Sequence, residues 1–221
     1  REFCGIQLAD GLGRDQRLAQ LLVTPSTKGI LTGIPGVPAA DDVNVSTAQL
    51  RQHHDRFQFT SPGDVDVCDR LLRDGFDVIA TQLADKGLLL VDTKFEFGYV
   101  SGADGSERLI YMDEVGTPDS SRIWDAAAYR DGRVLENSKE TFRQSLLARV
   151  AAPAVLLDKE RMPERQALAR DTVLPRALFD EVSATYTDLA ERITGESLPR
   201  ADDPRREILD VLGDDAFQLV D

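Results

Sequence analysis

Histidine and cysteine are scarce in this chain, and their scarcity excludes several kinds of site. Two of each occur among 221 residues, and the cysteines, Cys4 and Cys68, stand far apart and outside any group of metal-ligating residues. We therefore expect reduced thiols, as is typical of a cytoplasmic protein. His53 and His54 are adjacent on a predicted helix, where neighbouring side chains do not face one another, so we expect them to be solvated rather than catalytic.

Long apolar runs and an excess of positive charge are also absent. No segment has the length and apolar composition of a membrane-spanning helix, and no internal repeat or low-complexity tract is evident. The formal net charge of -13 argues against nonspecific binding to nucleic acid, which depends on cation-rich surfaces. A site for anionic substrates must therefore be locally positive against an acidic background.

Residues 91–98, with the sequence VDTKFEFG, place ionisable side chains in a stretch that otherwise predicts buried β-structure. A buried charge is costly unless it is paired or bound to a metal. Alternate residues of an extended strand share a face, so Asp92, Lys94 and Glu96 are predicted to lie on one side and the phenylalanines on the other.

A second strand is predicted from roughly Arg108 to Val115, after a connection rich in Gly and Asp that is typical of a hairpin. If the turn centres near residues 103 and 104, Asp113 lies opposite or diagonal to Lys94 and within reach of Glu96. Two carboxylates beside a lysine can hold a divalent cation and neutralise phosphate. The pattern alone equally allows a solvated hairpin on which Lys94 pairs with neighbouring acids.

The segment 117–122, with the sequence TPDSSR, is a turn by composition. It can serve simply as a cap before Ile123 and Trp124. Arg122, however, offers a planar fork suited to phosphate or carboxylate, beside two serine hydroxyls. This combination favours an anion site.

With these motifs, the chain resembles the SAICAR synthetase (phosphoribosylaminoimidazole-succinocarboxamide synthase) family of purine biosynthesis. The similarity extends over nearly the whole chain in family order. The matching segments are 24–28 (TPSTK), Asp42, Asn44 and Ser46 of an HDENIS-like segment, 92–98, 113–115, 117–122 with Trp124, Lys139 with Phe142 and Arg143, and 193–195 (ITG).

The resemblance implies an ATP-dependent amide ligase with Mg²⁺ as its metal. Such an enzyme activates the carboxylate of carboxyaminoimidazole ribonucleotide as an acyl phosphate, and the amine of L-aspartate attacks it. The implied fold is α+β, of the two-lobed SAICAR synthetase type related to ATP-grasp, with an antiparallel sheet packed against helices. The implied partners are small molecules, without nucleic acid or membrane, and a homo-oligomer is one open option.

The resemblance also assigns expected roles to individual residues. Glu96 and Asp113 are the expected magnesium ligands and, with Lys94, the ATP-binding residues. Lys94, Asp92 and Arg122 are the expected catalytic residues. The expected substrate-binding residues are Lys28, Asp42, Asn44, Asp119, Ser120, Ser121, Arg122, Lys139 and Arg143.

Two departures from the family pattern bear on function. The loop 29–40 is longer and more apolar than the family link, and Asp41 and Val43 replace a histidine and a glutamate. A related ligase of secondary metabolism, with a different heterocyclic acid or amino acid, is therefore an alternative. The chain also opens at a point that resembles the middle of the family pattern, so the β-rich N-terminal lobe is missing from it. We expect the native protein to have that lobe; a non-catalytic nucleotide-binding module is the second alternative.

The remaining pattern is mainly helical. We predict helices from Ser46 to about Phe57, from Ser61 to Gly87 and from Ser138 to Val150, the last presenting Lys139 and Arg143 on one face. The apolar residues of the second helix, among them Val78, recur at helical spacing and are predicted to form a stripe that faces the core. Further helices are predicted over 175–194 and from Pro204. We divide the chain into an ATP- and substrate-binding region, 1–150, which contains the hairpin 88–115, and a C-terminal helical region, 151–221, packed on the same domain.

Overall fold

The computed structural model describes residues 1–158, 160–199 and 201–213. The chain forms two compact units, Arg1–Val173 and Leu174–Asp221. The first combines antiparallel strands with helices, and the described part of the second is helical, so the α+β prediction is confirmed. The structural units divide after Val173; a functional division near residue 150 stays a prediction.

The described residues of the first unit contain six strands and six helices. In chain order they are β1 (Glu2–Phe3), β2 (Ile6–Gln7), α1 (Thr47–Gln52), α2 (Pro62–Asp85), β3 (Leu88–Thr93), β4 (Glu96–Ser101), β5 (Glu107–Met112), β6 (Ser121–Asp125), α3 (Ala126–Arg130), α4 (Lys139–Arg149), α5 (Pro153–Leu157) and α6 (Met162–Asp171).

The strands pair in separate antiparallel ladders: β1 with β2, β3 with β6, and β4 with β5. The predicted hairpin is confirmed as β4–β5, and its register from Glu96↔Met112 to Ser101↔Glu107 centres the turn on Asp104. The prediction of one continuous strand over 91–98 is wrong. The chain leaves β6 after Thr93 and begins a new pairing at Glu96, so two ladders meet in this segment.

The core of the first unit lies along the β3–β6 ladder. Leu88 and Leu90 of β3 and Ile123 of β6 are buried, and Ile123 has no exposed surface. Fully burying such a side chain contributes roughly 1.5–3 kcal/mol relative to leaving it in water. These residues fix the strands from which the polar side chains of the site extend.

Helix α2 packs against β3 and supports the β4–β5 hairpin. It begins after Ser61 with Pro62 in its first turn, as predicted, and the structure adds a capping box between Ser61 and Asp64. Tyr111 of β5 donates a hydrogen bond to the Leu71 carbonyl, and its ring lies 5.2 Å from that of Phe97. The hydrogen bond therefore ties the hairpin to the helix, and the ring contact packs the two strands of the hairpin against each other.

Two helical predictions need correction. Helix α1 is shorter than expected, because after Gln52 the chain passes into turns, and Gln58 adopts a left-handed φ of 64°. Val78 of α2, predicted to belong to the core-facing stripe, is 64% exposed. The stripe is interrupted there because α2 packs against β3 and the hairpin, and the side of the helix that carries Val78 faces neither of them.

The second unit contains α7 (Arg176–Thr194) and α8 (Pro204–Leu212). Helix α7 ends at Gly195, whose φ of 79° is the left-handed conformation typical of a C-terminal cap, as predicted. Leu178 and Leu189 of α7 are buried, whereas Ile208 and Leu209 of α8 are more than half exposed. No described helix is both long and apolar enough to cross a membrane.

Candidate functional site

A charged cavity of about 230 Å³ opens where the two β-ladders meet the start of α4. Six carboxylates, four cations and three serines line it, so the predicted locally positive site is wrong: the cavity is mixed in charge. The lining residues are Asp92, Lys94, Glu96, Asp113, Glu114, Asp119, Ser120, Ser121, Arg122, Ser138, Lys139, Glu140 and Arg143.

Lys94 occupies the seam between the ladders. Its amide donates to the Ser120 carbonyl at 3.0 Å, which ties the segment to the residues just before β6. From there its ammonium reaches the Glu96 carboxylate at 2.5 Å. This hydrogen bond is the largest cause of a raised Lys94 pKa, with smaller contributions from the charges of Asp113 and Asp42.

Glu96 is shared by two lysines. Lys94 contacts one carboxylate oxygen and Lys28 the other, and only 11% of the Glu96 side chain is exposed. The hydrogen bond from Lys28, followed by that from Lys94, lowers the Glu96 pKa and keeps the group ionised. Both oxygens are thus occupied by cations in this structure.

Lys28 reaches Glu96 from a short strap, residues 25–29 and 41–45, whose two sides are joined by backbone hydrogen bonds. The Thr27 amide donates to the Val43 carbonyl, and the Val45 amide to that of Pro25, each at 2.9 Å. The Gly29 amide donates to the Asp41 carboxylate at 2.8 Å. The strap is therefore a fixed support rather than a loose loop.

Arg122 is held by Asp92, its partner in the β3–β6 register. The guanidinium lies 2.9 Å from the carboxylate, and the Arg122 amide donates to the same carboxylate at 3.3 Å. A register shift between Leu90 and Asp92 brings this pair to the cavity. The resemblance-based role of Asp92 beside Lys94 stays a prediction, whereas its observed partner is Arg122.

The turn between β5 and β6 brings more polar groups to the cavity. Thr117 donates to the Glu114 carboxylate at 2.5 Å, and Ser121 donates to the Thr93 hydroxyl at 2.9 Å. Gly116 has a φ of 70°, and a Cβ there would lie 2.9 Å from Ile79. The turn therefore requires glycine at this position, both for its backbone angle and for its contact with α2.

Helix α4 contributes its first turn to the cavity wall. Ser138 is 2% exposed and caps the helix by accepting from the Glu140 amide at 3.3 Å. Lys139 and Arg143 both line the cavity, which agrees with the shared helix face predicted from their spacing. Arg143 pairs with Glu140 at 2.7 Å.

The structure brings most of the predicted site residues together. Those that line the cavity are Asp92, Lys94, Glu96, Asp113, Asp119, Ser120, Ser121, Arg122, Lys139 and Arg143. Lys28 joins them through Glu96, whereas the lining does not include Asp42 or Asn44. Asn44 supports the strap through its bridge with Ser26.

Three lining residues, Glu114, Ser138 and Glu140, were not predicted as site residues. The capping role of Ser138 was predictable, and the same signal places its neighbours Lys139 and Glu140 at a helix start. Glu114 follows Asp113 directly, and no feature of the sequence distinguished this second acid as a site residue. Its placement depends on the turn that Gly116 permits.

The carboxylates fit a magnesium ion that is bound together with a polyphosphate. Among the described residues, no group of three or more His, Cys, Asp or Glu side chains is arranged to hold a metal. Mg²⁺ commonly uses one or two carboxylates and completes its shell with water and phosphate oxygens. Glu96 and Asp113, both in the lining, are a suitable pair, provided that Lys28 or Lys94 yields an oxygen of Glu96.

The sequence comparison decides the family. The model of the family described as SAICAR synthetase matches residues 2–154. The chain belongs to the SAICAR synthetase family.

Two relatives are phosphoribosylaminoimidazole-succinocarboxamide synthases. The enzyme of Shewanella oneidensis is 57% identical over 220 residues, and that of Shewanella baltica is 58% identical over the same length. Each match covers 100% of this chain, which spans 60% of the length of these relatives. A solved structure of a SAICAR synthase is 23% identical to this chain. The match covers 75% of this chain and 52% of the solved one, with a TM-score of 0.49.

Proposed function

We propose that the protein is an ATP-dependent ligase that joins L-aspartate to the carboxylate of carboxyaminoimidazole ribonucleotide. The products are the succinocarboxamide SAICAR, ADP and phosphate. The observation that carries this proposal is the meeting, in one cavity, of Glu96, Lys94 and Asp113 with Arg122, Lys139 and Arg143. The names of the Shewanella relatives support the choice of substrates.

The chemistry needs positioning more than a reactive side chain. An oxygen of the substrate carboxylate attacks the γ-phosphorus of ATP and ADP leaves, which forms an acyl phosphate. The aspartate amine, having lost a proton, then attacks the acyl carbon, and phosphate leaves as the amide forms. Neither step forms a covalent bond to the protein, which agrees with the scarcity of histidine and cysteine.

The side chains of the cavity have separate tasks in this proposal. Lys94 neutralises the nucleotide phosphates, and Arg122, Lys139 and Arg143 hold the phosphate and carboxylate of the imidazole nucleotide. Mg²⁺, bound by Glu96 and Asp113, would neutralise charge on the transferred phosphoryl group. Lys28 would then be released from Glu96 and left beside the bound substrates.

The wider assignments follow from the same proposal. Its substrates are small molecules, and the enzyme acts in de novo purine biosynthesis. Both cysteines are free thiols, which supports a cytoplasmic location.

The test supplies the protein with ATP, Mg²⁺, L-aspartate and carboxyaminoimidazole ribonucleotide and measures both ADP and the amide. We expect equal amounts of the two products, and no amide when aspartate is omitted. Glu96→Gln should lower kcat by at least roughly a hundredfold, because a charged contact to the reacting groups is lost. Glu107→Gln, an exposed carboxylate on β5 outside the charged cavity, is the matched control and should leave kcat unchanged.

Two outcomes would contradict the proposal. If ADP is released only with another heterocyclic acid, the protein is the related ligase of secondary metabolism. The unusual loop 29–40 is the reason to consider that alternative. Nucleotide binding without turnover by the folded protein would indicate a non-catalytic module.

A further inference from the structure

Glu136 joins β6 to the start of α4 without lining the charged cavity itself. One carboxylate oxygen accepts from the Trp124 indole N–H at 2.7 Å. The other accepts from the Ser138 hydroxyl at 2.7 Å and from the Ile123 amide at 3.3 Å. The side chain thus contacts two residues of β6 and the residue that caps α4.

The backbone strengthens the same junction. Glu136 forms a bridge with Trp124, and the next amide, of Asn137, donates to the Ile123 carbonyl at 2.7 Å. The Glu136 carbonyl accepts from the Thr141 hydroxyl in the first turn of α4 at 3.1 Å. Together these contacts connect the strand that carries Arg122, through residues 136 and 137, with the helix that carries Lys139 and Arg143.

A carboxylate suits this position because all three contacting groups donate. An ionised glutamate only accepts, whereas glutamine replaces one acceptor oxygen by a donor NH₂. In Glu136→Gln, either the Trp124 N–H or the groups on the other oxygen would face this NH₂. Because Ile123 and Ser138 are almost fully buried, water cannot readily replace the lost acceptor.

We propose that Glu136 is a positioning residue that fixes the cationic first turn of α4 relative to β6, and so sets the spacing between Arg122 and the pair Lys139 and Arg143. The inference rests on the proposed function in taking these three cations to hold the anionic groups of the imidazole nucleotide. Glu136 acts through Ser138 and β6 and touches no substrate.

Trp124 makes this junction observable, since it is the sole tryptophan of the chain. Its indole N–H contacts Glu136 directly, and the residue is buried, at 8% exposure. An anion that draws Arg122 toward Lys139 and Arg143 pulls β6 and the start of α4 together, and so alters the hydrogen bonds that Glu136 makes to both elements. We therefore expect the emission of Trp124 to change when inorganic phosphate is added without magnesium or nucleotide.

The experiment compares the protein with Glu136→Gln, Ser138→Ala and the control Glu107→Gln. Phosphate binding is measured by equilibrium dialysis and by Trp124 emission, and unfolding by urea confirms that each variant is folded. We expect Glu136→Gln to weaken phosphate binding roughly tenfold, since small misplacements of binding groups have large effects. In Ser138→Ala, the Trp124 contact is kept, so the emission of the free protein should stay unchanged while its response to phosphate is lost.

In the ligase assay, Glu136→Gln should raise the KM for the imidazole nucleotide by a similar factor and leave the KM for ATP unchanged. A purely structural role would instead lower the folded fraction and affect both substrates alike. The inference is overturned if phosphate does not bind the unaltered protein, or if folded Glu136→Gln binds phosphate as tightly as Glu107→Gln. If phosphate behaves as expected but no amide forms, the proposed function fails and the positioning role stands.

Discussion

Asp92 and Arg122 face each other across the β3–β6 ladder, and their side chains pair at 2.9 Å within the wall of the charged cavity. About half of each side chain is exposed, at 52% for Asp92 and 48% for Arg122. Exposed pairs of this kind contribute about 0–1 kcal/mol to stability. The value of the pair therefore lies in where it holds the guanidinium.

Asp92→Asn should leave the free energy of unfolding within about 1 kcal/mol of the original. It should raise the KM for the imidazole nucleotide, because Arg122 loses the charged partner that orients it. Steady-state kinetics and urea unfolding measure the two effects. Asp131→Asn breaks the comparable exposed pair with Arg133 outside the cavity and should change neither. A large loss of stability in Asp92→Asn, with an unchanged KM, would contradict this view.

Lys28→Met should tighten the binding of a divalent cation to the free protein. The substitution removes one of the two lysines that occupy the Glu96 carboxylate, so the cation has one competitor fewer. Mn²⁺, followed by electron paramagnetic resonance without nucleotide, is a suitable probe. Lys86→Met, at the end of α2 and outside the cavity, is the matched control. Weaker Mn²⁺ binding in Lys28→Met would show that Lys28 supports the metal site instead.

The same variant makes a prediction about pH. The pKa of Glu96 is lowered in the folded state, first by Lys28 and then by Lys94, so its stabilising effect is present above the unfolded value, about 4.3. It is lost as the pH falls through the lowered folded value. Urea unfolding should therefore show Lys28→Met less stable than the original protein above about pH 5, with the difference shrinking in more acidic solution. A difference that grows on acidification would contradict the assignment.

Gly75→Ala should destabilise the protein although it lies inside a helix. Alanine normally stabilises a helix interior by about 1 kcal/mol relative to glycine. Here the added Cβ would lie 2.8 Å from the Tyr111 hydroxyl and 3.2 Å from its ring. We expect a net loss of roughly 1–2 kcal/mol in urea unfolding, as is typical of overpacking. Gly63→Ala, in the first turn of the same helix, meets its nearest atom at an ordinary 3.5 Å and should not destabilise.

Cys68 should react slowly with iodoacetamide at pH 8 in the folded protein. Burial raises the pKa of its thiol to about 11, so very little reactive thiolate is present. Mass spectrometry of alkylated peptides, with and without urea, measures the protection. The neutral thiol favours folding below the unfolded pKa, about 8.5, and this contribution is lost as the pH rises through the folded value. Equal rates in folded and unfolded protein would refute the burial argument.

The locally encoded parts of the site were predictable from sequence. Ser61 and Pro62 mark the start of α2, Ser138 marks the start of α4, and the Gly- and Asp-rich connection predicts the hairpin. Each of these signals depends only on residues that are close together in the chain. The family resemblance added the grouping of these elements into one site.

The parts that depend on distant pairing were not predictable. Strand β6 was not predicted as a strand, and the sequence indicated only that Ile123 and Trp124 follow a turn. Its partner β3 lies about 30 residues earlier in the chain, so no local pattern marks the pairing. The break at Lys94 follows from that pairing, and no local signal marks it. Glu136 was missed for the same reason: its importance depends on Trp124 and Ser138 meeting on either side of it.

The seam at Lys94 has a consequence for the order in which the site forms during folding. Glu96 is placed by a hairpin whose closest pair, Ser101 and Glu107, is only six residues apart, whereas Asp92 and Arg122 meet only when a 30-residue loop closes. Closing longer loops costs more entropy, and contacts between distant residues slow folding. The anion-holding half of the cavity should therefore be completed after the hairpin half. A ligand that contacts both halves binds only the finished fold and stabilises it by mass action.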